Sequence, residues 1–306
     1  MILDSTSKLI FHYKKVNELF TNGKTHPIHI TIGLTNYCNH KCTWCYIDYA
    51  KDIKHRIHAD IDKMIDALTI AKHYGEKLIS MKNSQVIYDP IDIDLFKNTS
   101  NNIDIRKIFS INNGEKIITN VGRITPWKGQ DYFLRAIEEI INEYPSIKVL
   151  IVGSAGNTQK SQLFYKSLVE QVSSCSLNNH VIFTGERSDV AELMAASDIV
   201  VHSASEPEPF GLVVAEAMAA GTPIIATNAG GVVEIIDDGV TGLLVPPKNH
   251  PEMANAIKSL LDSTNFSTKL AIRAQAEVSK KYLISKHITK IQDLYSNILN
   301  LKANIL

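Results

Sequence analysis

No apolar run in this 306-residue chain approaches the roughly 20 residues that a membrane-spanning helix requires. The first residues also carry no apolar stretch typical of a secretory signal peptide. Lysine and arginine together number 32 and are balanced by 32 aspartates and glutamates, so the net charge offers no attraction for nucleic acid. These observations predict a cytoplasmic protein without a nucleic-acid partner, and they leave peripheral contact with a membrane open.

Cysteine is scarce, yet three of the four cysteines lie within eight residues, as Cys38, Cys42 and Cys45. Such clustering in a reducing compartment favours a metal or cluster site over disulfides. Three thiolates can hold three irons of a 4Fe-4S cluster and leave the fourth iron open. Buried packing, a zinc site completed by His40 or another histidine, and a remnant that binds nothing are the alternatives. Cys175 stands alone and is expected to serve packing.

The spacing Cys-x3-Cys-x2-Cys, with Trp44 just before the last cysteine, resembles the signature of radical S-adenosylmethionine enzymes. The resemblance implies S-adenosylmethionine as a second cofactor, and a barrel whose first helix is 59–74 and whose second strand is 76–81. It ends there, and roughly 80 residues are too few for a (β/α) barrel. We therefore expect an incomplete α/β segment over residues 1–80 and a separate domain over 81–306.

The segment 205–223 carries the clearest functional pattern in the chain. It adjoins two apolar runs, 198–204 and 222–227, that suit strands buried on both faces. Residues 211–220 are mostly small or unbranched and favour a helix, and Gly221 suits the C-terminal cap of that helix. A helix that begins where a parallel strand ends directs unpaired N–H groups and its positive dipole end into the crevice, where a diphosphate can bind.

Two glutamates accompany the start of this helix. Glu208 lies in the preceding loop, and Glu216 lies about one and a half turns into the helix. Carboxylates beside an anion site can accept hydrogen bonds from sugar or ribose hydroxyls. Ordinary solvated acids are the alternative, but a strand-to-helix turn of an α/β sheet favours a ligand site. Glu206 is a further acid nearby, and only Glu208 stands eight residues before Glu216.

A second half of the site is predicted upstream. Residues 117–122 have the pattern of a strand, and residues 131–144 have that of an amphipathic helix stopped by Pro145. Arg123 and Lys128 lie in the connection between them. Two cations at the C-terminal edge of a sheet can neutralise a diphosphate and stabilise it as a leaving group. Two surface basic residues without a ligand are the alternative.

Buried strand candidates alternate with helical segments from residue 117 onward, and the tail 268–306 is expected to be helical. This alternation predicts an α/β fold with a doubly wound, Rossmann-like parallel sheet. The strand candidates are 117–122, 148–153, 180–184, 198–204, 222–227 and 242–245.

Residues from about 85 to 299 resemble the C-terminal, donor-binding half of retaining GT-B glycosyltransferases of the group 1 or family 4-like type. These enzymes transfer a sugar from a nucleotide diphosphate sugar, so the resemblance implies glycosyl transfer with retention. The matching motifs occur in family order: 88–96, Gly122 with Arg123, Lys128 with Gly129, 152–153, 183–185, the pair Glu208 and Glu216, 229–231 with Glu234, and 239–247.

The resemblance implies a role for each matched residue. Arg123 and Lys128 hold the diphosphate and Glu216 the ribose, while Glu208 meets the donor sugar. Glu208, Arg123 and Lys128 are the implied catalytic residues, and no metal is required where two cations and a helix dipole offset the phosphate charge. The implied substrate site comprises Gly122, Arg123, Lys128, Gly185, Glu208, Phe210, Gly211, Leu212 and Glu216.

A complete GT-B enzyme holds its acceptor on a second Rossmann-like domain, which residues 1–80 are too short to form. We therefore expect donor binding, with transfer to a glycan or lipid-linked acceptor dependent on a partner protein or a second copy. Two other classes stay open: a fragment of a radical S-adenosylmethionine enzyme, which would yield iron and sulfide after reconstitution, and a nucleotide-sugar binding protein without catalysis.

Overall fold

The computed structural model describes residues 7–8, 35–36, 87–97, 99 and 104–303, with side chains described between residues 87 and 293. These residues fall into two compact units, one within Met1–Val86 and the other within Ile87–Leu306. The predicted boundary after residue 80 stays a prediction.

In the first unit, β1 (Ser7–Lys8) pairs antiparallel with β2 (Thr35–Asn36). The predicted helix and strand of the radical S-adenosylmethionine resemblance lie outside the described residues. The same holds for the cluster ligands that the sequence suggests. The predictions concerned are those for 59–74, 76–81, Cys38, Cys42 and Cys45.

The second unit is built around a six-stranded sheet whose neighbouring strands are all parallel. Its strands are β3 (Lys116–Val121), β4 (Ile147–Val152), β5 (Val181–Gly185), β6 (Ile199–His202), β7 (Ile224–Thr227) and β8 (Leu243–Val245). The order β5-β4-β3-β6-β7-β8 confirms the predicted doubly wound sheet. Because the order reverses between β3 and β6, the crevice beyond the C-terminal ends of these two strands is where ligands bind in such sheets.

Helices precede, connect or follow these strands. They are α1 (Ile93–Lys97), α2 (Ile105–Ile108), α3 (Gln130–Ile140), α4 (Gln159–Ser174), α5 (Val190–Ala196), α6 (Leu212–Ala219), α7 (Val232–Ile235), α8 (His250–Asp262), α9 (Thr264–Lys281) and α10 (Ile284–Ala303), with a 3-10 turn at Pro126–Lys128. Among the helices described here, none combines the length and the apolar character that a membrane span needs.

Helix α3 follows its predicted apolar stripe but ends early. Leu134 and Ile137 are fully buried, and Ile140 is almost so. The helix stops at Ile140 rather than at the predicted residue 144, because the backbone tightens into a turn ahead of Pro145, which has no N–H to donate. Tyr144 still packs partly against the same core.

Helices cover both faces of the sheet. One core lies between the sheet and helices α3, α4 and α8, and the other between the sheet and helices α5, α6 and α9. The adjacent residues Val200 and Val201 of β6 are both fully buried and belong to opposite cores. This two-sided burial explains why the strands appear in the sequence as continuous apolar runs rather than as alternating patterns.

The loops after β3 and β6 approach each other closely at Gly129. Gly129 has φ 66°, and a Cβ added there would lie 2.1 Å from the carbonyl oxygen of Ser203. Beside it, the Ser203 hydroxyl donates to the carbonyl oxygen of Lys128 at 2.9 Å, and the N–H of Ser205 donates to that of Trp127 at 2.8 Å. Glycine is therefore required where the cation-bearing loop lies against the acid-bearing loop.

We expect Gly129→Ala to lower the free energy of unfolding by at least about 2 kcal/mol more than Gly239→Ala. Gly239 has φ 70° and no atom within 4 Å of an added Cβ. An alanine there therefore has the same backbone strain as an alanine at position 129, but it has no steric clash. Urea unfolding of both variants measures the difference. Equal losses would show that the two loops do not need this close approach.

Candidate functional site

The loops that follow β3, β6 and β7 meet at the C-terminal edge of the sheet, beside the first turn of α6. The loop after β3 carries Arg123 and Lys128, and the loop after β6 carries Glu208. Lys128 and Glu208 are 80 positions apart in the chain. They come together because β3 and β6 are hydrogen-bonded neighbours in the sheet.

Lys128 and Glu208 form an ion pair. Lys128 Nζ lies 2.6 Å from Glu208 Oε2, and the two side chains are only 14% and 12% exposed. Nζ also lies 4.3 Å from the centre of the Trp127 ring, within the range of a cation–π contact. Little water screens this pair, so its electrostatic attraction is stronger than that of a surface pair. The predicted cation and the predicted acid are therefore paired with each other in the structure.

The loop after β7 holds the main chain of Glu208 in place. The N–H of Gly231 donates to the carbonyl oxygen of Glu208 at 2.7 Å. Gly230, with φ 68°, approaches so closely that a Cβ there would lie 2.1 Å from the same oxygen. The double glycine thus fixes the position from which the Glu208 side chain extends.

Sequence reasoning missed one member of the site, His202, the last residue of β6. His202 is 3% exposed, and its Nε2 lies 3.3 Å from Glu208 Oε2. Its Nδ1 lies 3.5 Å from Thr227 Oγ1 on the neighbouring strand. Burial lowers the pKa of His202, although Glu208 partly opposes this effect, so the ring is neutral near pH 7. The sequence did show a histidine within an apolar run, but that run was interpreted only as a buried strand.

Glu208 is an anion throughout the neutral pH range. Burial alone would raise its pKa, but the hydrogen bond with His202 and the charge of Lys128 outweigh burial and lower the pKa to about 2. An ionised carboxylate accepts hydrogen bonds and donates none. Glu208 can therefore bind hydroxyl or N–H groups of a ligand, and it repels a phosphate.

Glu216 has the opposite character. It lies one turn beyond Leu212, the first residue of α6, and burial raises the pKa of its carboxyl to about 7, with Lys128 only partly opposing that rise. Near neutral pH the carboxyl is therefore close to half protonated. Because a protonated carboxyl donates as well as accepts, Glu216 can bind paired hydroxyl groups.

The start of α6 offers donors to an anion. Its N-cap, Gly211, has no side chain to satisfy the first N–H groups of the helix, and Leu212 is 43% exposed. The first N–H groups of a helix have no partners within the helix. Together with the helix dipole they attract negative charge.

Gly122 and Arg123 follow β3 directly, and their main chain is anchored. The N–H of Gly122 donates to the carbonyl oxygen of Val152 at 2.9 Å, and Gln130 Nε2 donates to that of Arg123 at 3.0 Å. The aliphatic part of Lys128 runs beside Gly122, where an added Cβ would lie 3.7 Å from the lysine Cδ. Gly122 therefore borders the lysine of the ion pair.

Two predicted site residues have other surroundings. Gly185 ends β5, and strands β4 and β3 separate β5 from β6 in the sheet. The ring of Phe210 stacks on Tyr88 with centroids 5.9 Å apart and meets Tyr282 edge-on at 5.5 Å. The Phe210 ring thus packs within an aromatic cluster, and the ligand-binding roles of Gly185 and Phe210 stay predictions.

The site combines two capacities. Lys128 and the first turn of α6 can bind an anion, and Glu208 and Glu216 can bind hydroxyl groups next to it. In the part of the second unit whose side chains are described, no group of His, Cys, Asp and Glu is arranged to hold a metal ion.

Comparison with known proteins identifies relatives over this region. The family model of the Glycosyl transferases group 1 matches residues 101–277, more than half of the chain. The "Uncharacterized glycosyltransferase MJ1607" of Methanocaldococcus jannaschii is 30% identical over 252 residues, which cover 79% of this chain and 62% of that protein. The chain thus spans less than two thirds of the length of this relative.

Solved structures share the fold of the second unit. Anabaena Alr3699/HepE in complex with UDP is 34% identical with a TM-score of 0.66, over 70% of this chain and 57% of that one. The same protein in complex with UDP-glucose gives 33% identity and a TM-score of 0.65. The C-terminal domain of LpcC from Francisella tularensis is 31% identical with a TM-score of 0.57, and 63% of this chain covers 99% of that domain.

The raised pKa of Glu216 predicts a stability that falls with pH. Below pH 4.5 both the folded and the unfolded states hold the proton, and above pH 7 neither does, so the folded state loses stability between these values. We expect the free energy of unfolding of Glu216→Gln to equal that of the wild type near pH 4.5. At pH 8 it should exceed the wild-type value by up to about 3 kcal/mol, because glutamine carries no proton to lose.

Urea unfolding at both pH values measures this difference. Glu170→Gln, at an exposed position of α4, is the matched control, because it makes the same substitution on the exposed face of another helix. If the free energies of unfolding of Glu216→Gln and the wild type differ by the same amount at both pH values, the prediction is contradicted.

Proposed function

Since the chain belongs to the Glycosyl transferases group 1 family, we propose that its second unit binds a nucleotide diphosphate sugar and supports transfer of the sugar to an acceptor hydroxyl. The observation that carries the proposal is the convergence of Lys128, Glu208 and the start of α6 at the C-terminal edge of the sheet. A diphosphate with an attached sugar carries the anionic and hydroxyl groups that this arrangement can bind.

The donor is proposed to bind with its diphosphate against the first turn of α6. Lys128 then exchanges its contact with Glu208 for a phosphate oxygen, and Arg123 supplies a second cation from the same loop. Glu208 accepts hydrogen bonds from hydroxyls of the sugar, and Glu216 binds the ribose. Family resemblance supports these roles, and the partly protonated state of Glu216 suits the vicinal hydroxyls of a ribose.

In the proposed reaction the bond between the sugar C1 and the diphosphate oxygen breaks, and a bond between C1 and the acceptor oxygen forms. The proton of the acceptor hydroxyl passes to the departing diphosphate oxygen. Negative charge develops on the departing diphosphate. Lys128, Arg123 and the dipole of α6 stabilise that charge, which is the main contribution that fixed cations and helix ends make to such steps. Retention at C1 is proposed from the resemblance to retaining GT-B enzymes.

UDP-glucose is the first donor to test, because the Anabaena structures contain UDP and UDP-glucose. The acceptor is proposed to be the hydroxyl of a glycan or of a lipid-linked sugar. A partner protein or a second copy is proposed to provide its binding surface, as in the GT-B arrangement of two domains.

We expect titration calorimetry with UDP, GDP and ADP to give measurable heat of binding with at least one nucleotide. Lys128→Ala should weaken binding of that nucleotide at least about 10-fold, because a charge-assisted contact with the diphosphate is lost. Lys116→Ala is the matched control, since Lys116 pairs with Asp198 at 2.7 Å at the opposite end of β3. Absence of heat with all three nucleotides would contradict the proposal.

Glu208→Ala separates recognition of the sugar from recognition of the nucleotide. Affinity for UDP-glucose should fall about 10-fold as hydroxyl contacts are lost. Affinity for UDP should stay the same or rise, because Lys128 no longer has to leave a carboxylate. Equal losses of affinity for both ligands in calorimetry would reassign Glu208 to the diphosphate or to the fold.

A further inference from the structure

Four side chains from three strands and their loops form a continuous line through the site. Thr227 Oγ1 lies 3.5 Å from His202 Nδ1, and His202 Nε2 lies 3.3 Å from Glu208 Oε2. The same oxygen lies 2.6 Å from Lys128 Nζ. Lys128 and His202 therefore share one carboxylate oxygen. Thr227 is 1% exposed, so the far end of the line is closed to water.

The partners of the ring determine where its proton lies. The ionised carboxylate of Glu208 can only accept, so Nε2 must carry the hydrogen. In a neutral ring the other nitrogen is then an acceptor, and the hydroxyl of Thr227 can donate to it. Glu208 thus selects the tautomer of His202, and the contact with Thr227 holds the orientation of the ring.

Binding of the proposed donor changes the partners of Glu208. A diphosphate competes for Lys128, and the carboxylate, which is 12% exposed, would then be left with too little water to satisfy it. Its main chain cannot follow the lysine, because Gly230 and Gly231 hold the backbone of Glu208. The remaining group within reach of Oε2 is the Nε2–H of His202.

We propose that His202, oriented by Thr227, is a positioning residue that holds Glu208 Oε2 when Lys128 moves to the diphosphate, which leaves Oε1 to accept from a sugar hydroxyl. The proposal rests on the proposed function and deepens it. His202 is 3% exposed and its Nε2 contacts Glu208 Oε2, so its proposed action passes through this carboxylate rather than through direct contact with the ligand.

The test compares affinities for UDP and for UDP-glucose by titration calorimetry. His202→Ala should weaken the affinity for UDP-glucose about 10-fold and the affinity for UDP less than about 2-fold, because only binding of the sugar depends on Glu208. His202→Gln should recover most of the loss, since its amide N–H can take the place of Nε2–H. Thr227→Val, which keeps the shape and removes the hydroxyl, should give an intermediate loss.

His180→Ala is the matched control, because His180 Nδ1 lies 3.0 Å from the Ile147 carbonyl oxygen, at the start of β4 and away from the site. Its affinities for both ligands should equal those of the wild type. Thermal unfolding verifies that each variant folds. If His202→Ala does not fold, the His202→Gln and Thr227→Val variants decide the question.

Equal losses for UDP and UDP-glucose in the folded His202 variants would overturn the positioning role and leave the proposed function intact. Wild-type protein that binds neither UDP, GDP, ADP nor UDP-glucose would overturn the proposed function itself. Independently of any ligand, imidazole ¹⁵N spectra at pH 7 should show His202 neutral with the proton on Nε2. A proton on Nδ1, or on both nitrogens, would overturn the positioning role.

Discussion

The ion pair between Lys128 and Glu208 is the interaction on which the site depends, because it joins the two loops that the sheet reversal brings together. Each partner comes from a loop that is fixed by a close backbone approach. Gly129 lies against the carbonyl oxygen of Ser203, and Gly230 lies against that of Glu208. The geometry of the charges is thus set by the main chain, and the side chains have little freedom to separate unless a ligand offers a better partner.

The two glutamates of the site differ in their protonation near neutral pH. Glu208 has Lys128 and His202 as partners and stays ionised. At Glu216 the effect of burial exceeds that of Lys128, so its carboxyl keeps a proton to about pH 7. A site that contained two fully ionised carboxylates would repel a diphosphate. With one carboxylate paired and the other partly neutral, the net charge at this edge of the sheet stays compatible with an anionic ligand.

Much of the fold followed from the sequence, because strands buried on both faces appear as apolar runs and turns are marked by glycine. The end of α3 was wrong by four residues, since propensity does not reveal where a backbone tightens before proline. His202 was missed because its partner Glu208 and its orienting residue Thr227 are recognisable only once β6 and β7 are paired. The packing of Phe210 with Tyr88 and Tyr282 likewise depends on contacts between distant segments.

The parallel direction of all six strands gives the second unit two unlike ends. The proposed donor site occupies the end where the strands finish, while the turn that precedes β3, with exposed Asn113, belongs to the end where they start. A cysteine introduced in place of Asn113 would therefore carry a fluorophore or a surface tether at the end of the second unit opposite the proposed donor site. The fold itself provides an orientation for immobilised or single-molecule measurements.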